Sequence, residues 1–366
     1  MFFTEMTLSD DGHNYLGSNL LPKDTTCVVC IGTLGKLCLT SEPSFTNQQL
    51  NSVVVNEQRH NPIYIFYLLS TILPQLKKLQ GGSASGREHV NKTNFENIEV
   101  EVHPLTEQKR IASILSAYDE LIENNTRRIT ILEQMAQMLY REWFVNFRFP
   151  GHENVKLVDS EMGQIPDGWA SSSIGRICHE VRRSVNPSEI PPETPYIGLE
   201  HMPRKSIALS EWGQAGQVQS TKLYFKRGEI LFGKIRPYFH KVGVAPIDGV
   251  CSSDAIVIIP EREELFPLVL LCVSSEDFVL QATQTSQGTK MPRANWNVLC
   301  KYPVPLPSEN VLTQFRKAVE PMVGLINNLV FRNRCLRTSR DLLLPKLVSG
   351  EIEVSQAEQM LEAVTA

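Results

Sequence analysis

The 366-residue sequence has no apolar run near the roughly 20 residues that a membrane-crossing helix needs. Its opening, "MFFTEMTLSDDGHNYLG", has no basic stretch followed by an apolar one, as a secretory leader would. A cytoplasmic chain with no membrane partner is expected. Cysteine is sparse, with eight residues and no dense framework, which fits reduced thiols and excludes a disulfide-stapled scaffold. Excess charge is lacking too: the net charge is -4, so nucleic-acid contact would need a local cluster of cations and not a polycationic whole. What remains is ordinary folded material, 42% apolar and 21% charged, long enough for two or three domains.

Signatures of catalysis are missing as well. "HNPIYIFYLL" resembles the N-P-P-Y tetrad with which adenine methyltransferases hold a target amine, but Ile63 replaces the second proline and no F-x-G-x-G loop accompanies it. Asn61 as a helix cap with Pro62 at the first helical position explains the tetrad better. "GTLGKL" fails the P-loop spacing and has Leu37 where a hydroxyl must bind magnesium. The eight histidines form no H-E-x-x-H and lie near no nucleophile signature. Cys27 and Cys30 make one C-x-x-C without a second pair at zinc spacing, and the flanking "TTCVVCIG" reads as a buried strand. No residue is assigned to catalysis, a metal or a cofactor.

What the sequence does have is a long heptad seam. From Ile111 it runs Leu115, Tyr118, Ile122, Asn125, Ile129, Leu132, Ala136, Leu139 and Trp143 at steps of four and three. Pro104 and Thr106 mark its start, with Thr106 as N-cap, and "FRFPG" at 147–151 stops it. The seam is about 48 Å long and too narrow to sit on a globular core, so a second long helix is expected against it. That partner lies about 200 residues on: Phe315, Val319, Met322, Ile326, Leu329, Asn333, Leu336, Arg340 and Leu343. Pro321 predicts a kink or break, with the long arm beginning there. Antiparallel packing about the midpoints brings Asn125 near Asn333, a buried pair that would fix the register.

The repeat extends beyond the helices. "VNKTNFENIEVEVHPLT" resembles "MPRANWNVLCKYPVPLPS", pairing Phe95 with Trp296 and Pro104 with Pro305 at an offset of 201. "LPKDTTCVVCIGTLGKLCLTSEPSFTNQQLNSVVV" corresponds loosely to "FKRGEILFGKIRPYFHKVGVAPIDGVCSSDAIVII". The chain therefore reads as globule, long helix, globule, long helix, an internal duplication. Runs such as "EILFGKI", "KVGVAPI" and "DAIVIIP" predict short strands, and "FPLVLLCVSSEDFVLQATQ" predicts one helix beside them, giving α+β globules.

Positive charge gathers between His201 and Lys241, where eight cations (Arg204, Lys205, Lys222, Lys226, Arg227, Lys234, Arg236, Lys241) face two carboxylates (Glu211, Glu229). Within it, "GKIRPYFHKVG" supplies Lys234, Arg236, Tyr238, His240 and Lys241. Arginine can pair with guanine or clamp a phosphate, lysine neutralises phosphate, and an aromatic ring can lie on sugar or base. A second loop, "TQTSQGTKMPRANW", carries Gln287, Lys290 and Arg293. Lys36, Gln48 and Arg87 are the candidates in the first globule. A solvated hairpin would show the same alternation of polar residues.

Taken together, "GEILFGKIRPYFHKVGVAP", "CSSDAIVI", "IPDGW" at 165–169 and "PLTEQKRIASILSAYDELIENNTRRITILEQMAQMLYREWF" resemble the DNA specificity subunit of type I restriction-modification systems, over nearly the whole chain. The resemblance implies two target-recognition domains that each read half of a split DNA site, joined by two long antiparallel coiled-coil helices that act as a ruler. It implies methylation subunits, two of them, docked on the helices and bringing the methyl donor, and a restriction subunit that joins them. It sets the expected segments at 1–105 (first recognition domain), 106–149 (first helix), 150–307 (second recognition domain), 308–350 (second helix) and 351–366 (acidic tail). One departure stands out. "IPDGW" precedes "GEILF" by about 60 residues, whereas only about 23 precede "DTTCVV", so the first recognition domain is expected to be shortened at its start. The alternative expectation is a coiled-coil decoy that binds methylation subunits without reading a full site.

Overall fold

The computed structural model describes residues 7–31, 36–76, 90 and 92–365. It forms two compact units, Met1–Ile122 with Cys335–Ala366, and Glu123–Arg334. Both divisions fall inside long helices, Leu105–Tyr140 and Glu309–Ser349, so each unit receives part of each helix. The segments expected from the sequence follow the repeat along the chain and not these units.

In the unit Glu123–Arg334 the two helical stretches run antiparallel. Asn125 donates to Asn333 Oδ1 at 2.9 Å, and Trp143 lies 5.4 Å from Phe315. Ile129, Ala136, Val319, Val323, Ile326, Leu329 and Val330 are buried in the same core, while Leu132 and Met322 are half-buried beside it. In the other unit Ile111, Leu115, Tyr118 and Ile122 share a core with Leu336, Leu343 and Leu347, and Asp119 pairs with Arg340. Each fully buried side chain of this kind contributes about 1.5–3 kcal/mol. The seam does more than meet a second helix. In both units its residues also pack on globular elements, such as Tyr64 and Leu68 in one and Phe278 and Leu271 in the other.

Three helix expectations are corrected. The first long helix starts at Leu105, with Pro104 O accepting from the amides of Glu107 and Gln108, so Thr106 lies inside the first turn and is not the cap. The second runs unbroken from Glu309 through Pro321. Pro321 and Lys317, whose carbonyl loses its amide partner, are both exposed, so the freed oxygen lies on a face of the helix open to solvent. "FPLVLLCVSSEDFVLQATQ" forms two helices, Phe266–Val273 and Glu276–Gln284, bent by 64°. Ser274 donates to Leu270 O at 2.7 Å and Ser275 Oγ accepts from Phe278 N, so two adjacent hydroxyls end one helix and cap the next. By contrast Asn61 caps Pro62–Leu76 as expected, accepting from Tyr64 N at 2.9 Å.

The sheets expose the duplication. In one unit Ile230–Gly233 lies between Val242–Val244 and Ala255–Pro260, all antiparallel. In the other Thr26–Val29 lies between Leu37–Leu39 and Leu50–Val53, again antiparallel. Loop hydrogen bonds repeat as well. Val29 N to Lys36 O answers Gly233 N to Lys241 O, Cys30 N to Gln49 O answers Lys234 N to Asp254 O, and Val90 N to Cys30 O answers Ala294 N to Lys234 O. These pairs are offset by 204 or 205, as are the helix starts Leu105 and Glu309. The match of Phe95 with Trp296 is therefore corrected: Ile98 N to Phe95 O answers Tyr302 N to Leu299 O, so Phe95 corresponds to Leu299. Aromatic likeness had outweighed register. A second sheet of five strands, ordered Gly213–Gln214, Pro195–Ile197, Gly249–Ser252, Lys222–Phe225 and Arg183–Val185, has no counterpart among the described residues of the first unit.

Residues 351–366, expected as an acidic tail, contain a docked helix, Val354–Thr365. Val354 and Ala357 are buried, and Arg110 grips Glu358 through two bonds of 3.0 and 2.8 Å. Gly350, at φ 73°, makes the turn before it.

The buried amide pair yields a test. Asn125→Leu removes the donor to the buried Asn333 Oδ1, and Asn333→Leu removes the acceptor of the buried Asn125 Nδ2. Each single change is expected to cost about 1–3 kcal/mol in urea unfolding, and the double change about nothing.

Candidate nucleic-acid interface

The strand Ile230–Gly233 is wholly buried, and its last residue delivers the chain to the surface at Lys234. There two stretches far apart in sequence are fastened together. Lys234 O accepts from Ala294 N at 2.8 Å, Arg236 N donates to Pro292 O at 2.7 Å, and Gln287 exchanges backbone bonds of 3.0 and 2.9 Å with Arg293. The result sets Lys234 and Arg236, both half-buried, beside exposed Gln287, Lys290 and Arg293. An open groove of about 320 Å³ is lined by Lys234, Gln287 and Arg293 together with Arg182, Asn295 and Trp296.

Arg236 and His240 both take the left-handed backbone, at φ 48° and 52°, and bracket the short turn Pro237–Phe239. Such conformations cost on the order of 1–3 kcal/mol in non-glycine residues. They aim the turn outward, leaving Tyr238 52% exposed. Phe239 lies beneath two guanidinium groups, Arg204 at 4.2 Å and Arg236 at 6.0 Å from the ring centre. Arg236 Nε is buried and has no hydrogen-bond partner among the described residues.

The remaining candidates are placed differently. His240 is buried, with Nε2 2.9 Å from Ser274 O, and burial holds its pKa below the usual histidine value. Lys241 points inward to Leu199 O, its pKa lowered by burial. Lys222, counted in the basic stretch, is buried too, bonded to Ser220 O at 2.6 Å. Neither His240 nor Lys222 is presented to a large partner. Lys226 and Arg227 are exposed on a separate turn, whose amides are held by Glu229 at 2.9 Å and Asp248 at 2.7 Å. Lys36 and Gln48 are exposed in the other unit, Lys36 standing where Lys241 stands in the repeat. Arg87 lies outside the described residues.

Sequence reasoning missed Phe239, Arg182 and Trp296 as members of this surface. Phe239 stood beside the chosen Tyr238, but only the φ reversals at 236 and 240 tell which ring faces which cation. The seam residues named as a partner interface, from Ile111 to Leu132 and from Phe315 to Leu336, are largely consumed by packing within each unit. The apolar residues that the long helices leave exposed are others, among them Ile131, Met135, Met138, Val145 and Leu342.

Residues 2–134 match the model of the type I restriction modification DNA specificity domain. The chain is similar to the type I restriction enzyme MjaIX specificity subunit of Methanocaldococcus jannaschii, 25% identical over 356 residues that cover 92% of this chain and 79% of that one. It is also similar to the EcoDI specificity subunit of Escherichia coli, 23% identical over 361 residues covering 90% and 78%. In fold it resembles the type I restriction-modification S subunit from M. genitalium, with a TM-score of 0.55 at 16% identity over 89% of this chain and 83% of that one.

His240 and Tyr238 separate support from surface. Tyr238→Ala is expected to leave unfolding free energy within about 0.5 kcal/mol, and His240→Gln to lower it by about 1–3 kcal/mol at pH 7.5. Because the folded pKa of His240 is depressed, the unfolded state binds its proton more readily. Its stabilisation is therefore lost as pH falls below about 6.5. The difference between wild type and His240→Gln should shrink from pH 7.5 to pH 5 in urea titrations.

Proposed function

We propose that this chain, similar over most of its length to type I restriction-modification specificity subunits, reads a bipartite double-stranded DNA site and docks the subunits that modify or cut it. The observation that carries this reading is the junction of Lys234–Tyr238 with Gln287–Arg293. It puts cations, an amide and an exposed ring on one surface, the mixture that phosphate contact and base-edge readout both need. Lys226, Arg227, Lys36 and Gln48 supply further exposed contacts. The chain's role is recognition, and methyl transfer belongs to two methylation subunits that carry the methyl donor. A restriction subunit joins the same assembly. The two long helices hold the half-sites at a fixed gap, the register being kept by Asn125 and Asn333.

Mapping of modified adenines tests it. Co-expressed with the methylation subunit of its own operon in a methylation-free host, the chain should yield two half-sites with a constant gap. Arg236→Ala with Arg293→Ala should abolish or relax one half-site and leave the other unchanged. In binding assays with the assembled complex, each lost phosphate contact should lower the slope of log affinity against log salt by about 0.9. A stable complex that methylates nothing would favour the decoy reading instead.

A further inference from the structure

The C-x-x-C of the first unit is not one site. Cys30 shares a face of its strand with Val28, packing with Val90 and accepting from Asn51 Nδ2 at 3.0 Å. Cys27 is on the other face, in a row across the sheet. Its partner on Leu37–Leu39 is Cys38, and its partner on Leu50–Val53 is Ser52, whose hydroxyl lies 3.7 Å from Cys27 Sγ. Bonds from Val29 N to Lys36 O and from Thr40 N to Thr25 O, two residues to either side, make Cys27 and Cys38 a hydrogen-bonded pair of the ladder. Such residues have Cα atoms roughly 5.5 Å apart, inside the window that a disulfide spans.

We infer that Cys27 and Cys38 are a redox pair, which a peroxide closes into a cross-strand disulfide and a thiol reductant reopens. The two sulfurs are unequal. Cys27 is 2% exposed, whereas Cys38 is half-buried. The facing thiols lower the pKa of Cys38 and raise that of Cys27, whose burial adds to the rise. Cys38, the more accessible of the two sulfurs, is thus the thiolate that meets the oxidant. Its thiolate sulfur attacks one oxygen of the peroxide, the O–O bond breaks, and the released hydroxide takes a proton from solvent and leaves as water, with a sulfenic acid on Cys38. Cys27 then attacks that sulfur, the S–OH bond breaks, and the hydroxide departs with the Cys27 proton as a second water. Two thiols are oxidised by two electrons and one peroxide is reduced. The strand Leu37–Leu39, which Lys36 precedes, is then tied covalently to the central strand.

Hydrogen peroxide on the purified full chain, followed by N-ethylmaleimide in denaturant and peptide mass mapping, tests this. The expected product is one linked Cys27–Cys38 peptide pair, about 2 Da lighter than the separate thiols and separated again by dithiothreitol. The buried Cys178, Cys251 and Cys272 should take up maleimide fully and serve as internal controls. In Cys27→Ser, Cys38 should instead accumulate as sulfenic or sulfinic acid. Should Cys27 and Cys38 both remain alkylatable when exposed Cys335 is oxidised, the pairing is overturned. Oxidation of wild-type Cys38 to sulfinic acid with Cys27 still free would overturn it equally, and neither wild-type result depends on a variant folding.

Discussion

A hydrogen bond between two side-chain amides, Asn125 on Asn333, sits in a seam that is otherwise apolar within its unit. Apolar residues at steps of three and four tolerate a slip of one heptad with little loss, because one leucine packs much like the next. An amide left without its partner in that environment does not. The pair therefore restricts the helices to one alignment within its unit, and the Asp119 pair with Arg340 does the same within the other. Everything proposed about spacing depends on that restriction.

The duplication accounts for why each unit contains part of both long helices. Each repeat contributes a small antiparallel sheet, a helix behind it and a long helix, at an offset of 204 or 205 residues. In one copy the helix behind the sheet is Pro62–Leu76. In the other it is bent at Ser274 and Ser275, which places Ser274 O against His240. That bond anchors the end of the turn that presents Tyr238. A local competition between serine hydroxyls and the helix backbone thus reaches the candidate DNA surface.

Periodicity made the seam residues, the strands around Ile230 and Ala255 and the Asn61 cap legible, because each follows from neighbours within a few positions. The inward turn of His240 and Lys241 was not legible. In the sequence they stand beside Arg236 and Tyr238 with the same polar character, and only two left-handed residues and the carbonyls of Ser274 and Leu199 decide which way they point. The closure of Gln287–Arg293 onto Lys234–Arg236 rests on backbone bonds that side-chain identity does not encode. Pro321 misled for a physical reason: the cost of a proline depends on whether water can reach the carbonyl it frees, and at this position the helix is exposed.

The most direct measurement is the gap between methylated half-sites after one heptad is inserted between Asn125 and Thr126 and another between Arg332 and Asn333. These insertions are opposite one another in the antiparallel pair and keep the amides matched. Seven helical residues add about 10 Å, close to three base pairs at about 3.4 Å each. The account predicts both half-sites unchanged and a gap longer by about three base pairs. A folded, methylating complex that keeps the original gap would contradict it.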